Sequence, residues 1–538
     1  MIGRVLRWLL VIVVLVPLGL TALALAVVVV TGAVGGWALT QAVDGNPNQY
    51  GRAAGWLGTS AIVAGNVVRV WEPVLKVLPG PLGAPGRALD GVAQPLVDLG
   101  RAGRTAAPSL PAATGADGPK RYLVAALNEA EMYGSGGALL YVAMVEFDQG
   151  RPSVPLTGSV NESIVPRDQT VTWDYVGGPP WYNPGDYYFF ATSNLHPEFP
   201  FAGQDIQRAW AAIGRPELDG VITMDVTALS DILDQTGPVE SPGYGQLTAQ
   251  NIVRKVLVDA YRQYPEEVPG NNEIRRDLND GLRQTFQSLV TDPANLPAVL
   301  RGITEAIPGR HVQGYMDDAA LQEAVGQMGA QGQLVTGDGD VIGEFMQAGG
   351  TKVSIFQQRS IDQTVDVAAD GSARVTRRVT TVNAVPSDVP GDATASQGYL
   401  GLVLLQHLAH RIPGAATAPA VSYGSAEPLV APDKTGPYPD GVGGQVMWQG
   451  GLQPPGSSVT QTVTYDLPAG TFGTPGKLRY SAVANPQAMA QTVNLQVKVT
   501  FAGDPATSDG ADGWQARDGA LVWQGALDRT LELQVAAP

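Results

Sequence analysis

The chain has 538 residues, no cysteine and a formal net charge of −16. The acid excess argues against a nucleic-acid partner, because phosphate binding needs clustered Lys and Arg that release counterions. The lack of thiols removes disulfides and thiolate metal sites, and the length accommodates more than one domain of the usual ~100–200 residues.

Residues 8–30 carry no charge and are almost wholly Leu, Val, Ala and Ile, interrupted by Pro17, Gly19 and Thr21. A bilayer core needs about 20 such residues, and in lipid only a helix satisfies its own backbone over one segment. Arg4 and Arg7 precede the run and the first acid after it is Asp44, which keeps the N-terminus cytoplasmic and puts the bulk outside. The run exceeds the roughly 7–15 apolar residues of a cleaved signal, so the expectation is an uncleaved single-pass anchor in a lipid bilayer. This assigns 1–38 to a cytoplasmic tip and transmembrane helix. Residues 39–119 read as a Gly/Ala/Pro-rich stalk: Pro79-Gly80-Pro81 and Pro85-Gly86 punctuate the apolar runs, which predicts short helices and linkers rather than one long helix.

From 120 to 350 strand-like and helix-like segments mix. Apolar runs at 121–127, 139–147 and 219–224 have strand length, with a loop at 134–137. Helical patterns follow at 227–235, stopped by Gly237-Pro238, and then at 249–264, 271–290, 293–307 and 317–328. This order predicts a layered α/β domain. From 351 to 538 the period changes to two. Segments 362–367 and 372–382 flank an Asp370-Gly371 turn, a hairpin signal, and Val459, Val463 and Tyr465 alternate with polar residues, as do Val493 to Val499 and Leu531 to Val535. The expectation is an all-β, sandwich-like domain.

Common catalytic signatures are absent: no phosphate loop ending in Lys-Ser or Lys-Thr, no zinc-binding His pair on a helix, no Gly-x-Ser-x-Gly elbow. Of the histidines at 196, 311, 407 and 410, only His407 and His410 are close in sequence. On a helix they would share a face, where packing outweighs metal binding because a metal site needs further ligands. Arg167 beside Asp168 joins a fork suited to phosphate to a carboxylate able to hold magnesium, with an exposed salt bridge as the plain alternative. Trp173 and Trp181 head an aromatic cluster in a Gly/Pro-rich loop, suited to stacking on sugars or anchoring a partner, or else folded over the core.

Several pieces come in a telling order: Leu127-Asn128-Glu129-Ala130-Glu131, Gly134-Ser135-Gly136-Gly137, Asn194-Leu195-His196-Pro197, a helix carrying Asp205, Arg208 and Trp210, Asp219 to Asp225, Arg310-His311-Val312-Gln313-Gly314-Tyr315 and Gly349-Gly350-Thr351-Lys352. Together they resemble the bacterial membrane-anchored family called domain of unknown function 4012. The central segment is also similar, more distantly, to the LytR-CpsA-Psr family, which transfers glycan from polyprenyl-pyrophosphate carriers to the cell wall. That resemblance implies Arg167 and Asp168 as catalytic residues, Arg208, Arg275, Arg276 and Arg283 as phosphate ligands, and Asn128, Glu131 and Asp225 as further motif positions. It implies Mg2+ if the protein is a phosphotransferase, and a polyprenyl-phosphate-linked glycan or wall polymer as partner. One departure bears on activity: Asn128-Glu129-Ala130-Glu131 stands where the transferases carry an Arg-x-Asp motif, and carboxylates there repel a phosphate. The expectation is therefore an extracytoplasmic envelope scaffold that binds glycan or a partner protein, with a magnesium-dependent phosphotransferase as the alternative.

Overall fold

A computed structural model describes residues 38, 41, 45–76, 93–165, 170–176, 189–265, 268–292, 294–347, 350–424, 428–503, 506 and 510–537. The expected anchor at 8–30 lies outside them. Among the described residues, no helix is long and apolar enough to cross a membrane.

The stalk differs from its expectation. Helix α1, Asn48–Lys76, runs 29 residues, because after Pro47 the next proline is Pro73, near its end. It packs antiparallel against α2, Ala93–Ala106. Backbones touch at the crossing: a side-chain carbon on Gly58 would lie 2.6 Å from the Gly100 carbonyl oxygen, and one on Gly100 would lie 2.5 Å from that of Gly58. Glycine costs a helix about 1 kcal/mol, and here close packing is what it permits. The hairpin docks on the following domain through Ala102 and Ala106, which pack with Ala324, and through the Thr105 hydroxyl bonded to Gln327 at 3.0 Å.

The next unit is mixed α/β. Strands β1 (Lys120–Tyr133), β2 (Gly136–Asp148), β3 (Arg151–Ser159), β4 (Gly220–Asp225) and β5 (Val312–Met316) form one sheet in the order β3-β2-β1-β4-β5. β1 and β4 are parallel and the other pairs antiparallel. Leu123, Ala125, Leu127 and Val221 are buried in one cluster with Ile206, Ala209 and Trp210 of α3, Phe199–Ala212. Helix α4, Val226–Thr236, is capped by Asp225, whose carboxylate accepts from the Ala228 N–H, and ends at Gly237 with φ 86°, a backbone that disfavours other residues. An irregular helix over 252–263 and helices α5 (Asn271–Thr291), α6 (Leu296–Ala306) and α7 (Ala319–Gln327) complete the unit.

The C-terminal part is β-rich, with two seven-stranded sheets. One is built around β7 (Gln357–Val367), β8 (Ala373–Asn383) and β13 (Ser458–Leu467), with Gly371 at φ 78° in the expected hairpin turn. Between β8 and β13 come β9 (Leu404–Pro413), β10 (Thr417–Tyr423), β11 (Tyr438–Pro439) and β12 (Gly444–Gln453). The second sheet contains β12, β9, β6 (Asp340–Gln347) and β15 (Lys477–Asn485), with the short β14 (Gly473–Thr474) at its end. β6 thus pairs within the β-rich part, and the boundary lies before 340 rather than at 350. His407 and His410 are on β9, not on a helix, so they point to opposite faces. His407 stacks on Trp448 at 5.0 Å, while His410 is buried between Glu344 and Gln461.

Candidate functional site

β1 ends in the carboxylate motif, and its register with β2 slips between Asn128 and Met132. Such a bulge releases side chains from the pleat and re-aims them. Gly137 makes the bulge possible: a side-chain carbon there would stand 2.0 Å from the Asn128 carbonyl carbon. The motif then feeds two sites.

The first is a narrow pocket holding about 30 Å³, with Asn128, Glu131, Ser159, Asn161, Arg275, Asn279 and Lys352 in its wall. The Glu131 carboxylate is paired with Lys352 Nζ at 2.8 Å. That ammonium lies 4.4 Å from the Tyr261 ring centroid and 4.9 Å from that of Tyr399. The Arg275 guanidinium covers the same rings at 5.5 and 5.2 Å and donates to the Tyr264 carbonyl and Asn272 Oδ1. Two cations held against two aromatic faces are stabilised by cation–π attraction. They outnumber Glu131, the one carboxylate among the described lining residues, so the repulsion expected from it is offset by Lys352. Burial holds the Tyr261 phenol well above its usual range, leaving it a proton donor.

The second is a buried cluster. Asp225 and His311 are neighbours across β4 and β5, and Asp225 Oδ2 meets His311 Nδ1 at 2.7 Å. Glu129 Oε1 lies 3.9 Å from the same nitrogen and accepts from the Thr227 hydroxyl at 2.7 Å, while Oε2 accepts from the Thr227 N–H at 3.0 Å. Burial, then the adjacent Asp225 carboxylate, push Glu129 up to about 8 against the pull of His311 and Thr227. For His311 burial works downward, but Asp225 and Glu129 outweigh it and raise the imidazole to about 9. The ring also borders a cavity of about 230 Å³ between the α/β unit and the β-rich part, which Thr227, Asp231, Gln487 and Arg529 help to line. Asp231 there is lifted to about 6, chiefly by burial.

The sequence-derived candidates divide. Arg275, Asn128 and Glu131 meet in the first pocket, and Asp225 belongs to the second cluster. Arg276 is exposed beside Asp277 at 3.9 Å, and Arg283 sits 3.8 Å from Asp280 and bonds Gln287, so neither lines the pocket. Arg208 is spent on the Asp174 carbonyl at 2.5 Å. Trp173 is half-buried against the α/β core and tilted on Tyr175 at 5.3 Å, a packing position rather than an open sugar platform. Arg167, Asp168 and Trp181 lie outside the described residues. Sequence reading missed Lys352, Tyr261 and Tyr399 as one group, and His311 as the partner of Asp225. The usable signal for the latter was position: Asp225 ends one strand and His311 begins another. The magnesium ion that the resemblance implies finds one carboxylate among the described lining residues of the first pocket, Glu131, and Lys352 already holds it.

The family described as "Protein of unknown function (DUF4012)" matches residues 117–261. The match spans four of the five strands of the α/β sheet, β1 to β4. It contributes Asn128, Glu129, Glu131, Asp225 and Tyr261, whereas His311, Arg275 and Lys352 come from beyond the DUF4012 match. No curated protein matches the chain. Among solved structures, protein Lin1025 from Listeria innocua is 13% identical over 39% of this chain and 78% of its own, with a TM-score of 0.22. Protein gbs0355 from Streptococcus agalactiae is 9% identical over 39% and 74%, with a TM-score of 0.26. B. subtilis TagV is 13% identical over 40% and 80%, with a TM-score of 0.22. At these scores the likenesses add no weight to the assignments above.

Proposed function

We propose that this is a membrane-anchored, extracytoplasmic envelope protein that serves as a binding scaffold, gripping the phosphate end of a carrier-linked glycan in the Arg275–Lys352 pocket. The observation carrying this reading is the convergence of two buried cations on one polar pocket beside the motif Asn128-Glu129-Ala130-Glu131. An incoming phosphate takes Lys352 from Glu131 and widens the pocket as it binds; charge-assisted hydrogen bonds supply about 1.5–3 kcal/mol each. The anchor reading rests on the apolar segment 8–30 and its flanking arginines.

The test is equilibrium binding of polyprenyl pyrophosphate to the full chain in detergent. Binding competed by inorganic pyrophosphate is expected, with Lys352→Met weakening it roughly tenfold and the exposed Arg276→Ala leaving it unchanged. No binding, or a Lys352→Met affinity equal to wild type in a protein of unchanged melting temperature, rejects the scaffold reading. Turnover is the second reading, favoured by the carboxylate of Glu131 inside the same pocket, where it can orient an acceptor hydroxyl. Phosphate release that Glu131→Gln abolishes supports turnover. For the anchor, protease added to intact cells is expected to degrade everything beyond 38.

A further inference from the structure

Glu129, Asp225 and His311 bring three metal-ligating side chains together at one buried point. Asp225 caps α4 and pairs with His311, which accounts for two of the three groups. Glu129 is a second, fully buried carboxylate beside the first, and burying like charges side by side is unfavourable unless a cation or proton offsets them. The three ligand atoms lie within 4.8 Å of one another and come from the end of β1, the end of β4 and the residue before β5. Hydrogen bonds already fix both carboxylates, Glu129 by the Thr227 N–H and hydroxyl and Asp225 by the Ala228 N–H, as the neighbours of metal-binding carboxylates commonly do. Thr223, two residues before Asp225 on the same face of β4, is 1% exposed and its hydroxyl has no hydrogen-bond partner.

We infer that Glu129, Asp225 and His311 bind one divalent transition-metal ion, with the adjoining cavity supplying its water or an exchangeable ligand. One imidazole and two carboxylates suit Zn2+ or Mn2+; three protein ligands with one position left for water is the pattern of a reactive zinc site. Mg2+ favours oxygen ligands and keeps most of its waters, which makes it the poorer occupant. A bound ion takes the place of the His311–Asp225 hydrogen bond, because a histidine ligand must be neutral at the nitrogen that holds the metal. This site is separate from the Arg275–Lys352 pocket, and neither proposal depends on the other.

The experiment uses the full chain in detergent, stripped with chelator and loaded separately with Zn2+, Mn2+ or Mg2+. After gel filtration a single equivalent of Zn2+ is expected to remain, and Mg2+ is not. Glu129→Gln is expected to weaken Zn2+ binding by more than the roughly 10–100-fold typical of an outer-shell change, and His311→Ala to abolish it. Circular dichroism checks that both variants fold. If either fails to fold, anomalous diffraction from wild-type crystals soaked in Zn2+ decides: a peak among the three side chains supports the site, and a peak only elsewhere, or none, overturns it. Wild-type affinity in both folded variants also overturns it.

Discussion

At the scale of single residues, the cluster at the end of β1 makes a pH prediction for the metal-free protein. Glu129 and His311 both hold their protons more tightly folded than unfolded, reaching about 8 and about 9 from ordinary values of 4.5 and 6.5. The folded state therefore has its full advantage below those ordinary values and loses it as pH rises, through 4.5 to about 8 for Glu129 and 6.5 to about 9 for His311. Glu129→Gln mimics the protonated side chain, so urea midpoints are expected to match wild type near pH 5 and exceed it near pH 8. A wild-type midpoint flat across that range contradicts this account. Arg377 makes a second case. It is fully buried in the β-rich part and donates to Glu344 Oε1 at 2.9 Å, Gln363 Oε1 at 2.7 Å, the Tyr465 hydroxyl at 2.9 Å and the Arg411 and Val341 carbonyls. Arg377→Met removes all five of these donated bonds and the cation that faces the buried Glu344 carboxylate, and is expected to cost about 3–5 kcal/mol by denaturant titration.

At the scale of elements, the α1–α2 hairpin depends on glycines that a composition reading counts as breakers. Gly100→Val forces a branched side chain into the Gly58 carbonyl oxygen, which already stands 2.5 Å from where its first carbon would sit. Overpacking of this kind costs roughly 1–3 kcal/mol. Hydrogen exchange is expected to speed up over 48–76 and 93–106 and to stay unchanged in β7 and β8; uniform protection would show that the crossing tolerates the bulk. The same element marks where sequence legibility ends. Periodicity located β1, β2, β4, α4, α5 and the β7–β8 hairpin because each buries one face against its neighbours. It failed for α1, whose glycines are legible only once α2 is beside them, and for β6. Seven of the eight positions of β6 are buried, giving no alternation to read. At the pocket, Arg275, Asn128 and Glu131 were legible from motif order. Lys352, Tyr261 and Tyr399 were not, because nothing local links a residue after β6 to a helix ending at 263.

At the scale of the whole molecule, β6 ties the two parts together. One buried cluster runs from Ala130, Met132 and Val226 through Ile342 and Met346 to Val375, Val463 and Leu495, so core continuity crosses the boundary. Arg310 adds a clamp, donating to the Pro197 and Gly332 carbonyls on one side and to Pro486 on the other. Within the β-rich part, β6 lies between β9 and β15, pairing with 407–411 on one edge and 482–485 on the other. It also supplies Glu344 and Asp340, which bond Arg377 and Tyr465. A fragment 351–538 loses the strand between two others, two exposed edges result, and Arg377 keeps its burial without its carboxylate. Losing one partner of a buried ion pair costs about 3–5 kcal/mol, a large share of the roughly 5–15 kcal/mol by which a domain is stable. Fragment 351–538 is therefore expected to lack a cooperative urea transition, and a fragment beginning at 336 to regain one. Equal, cooperative transitions in both would mean that β9 and β15 close without β6 and that the β-rich part folds independently of the strand that joins it to the α/β unit.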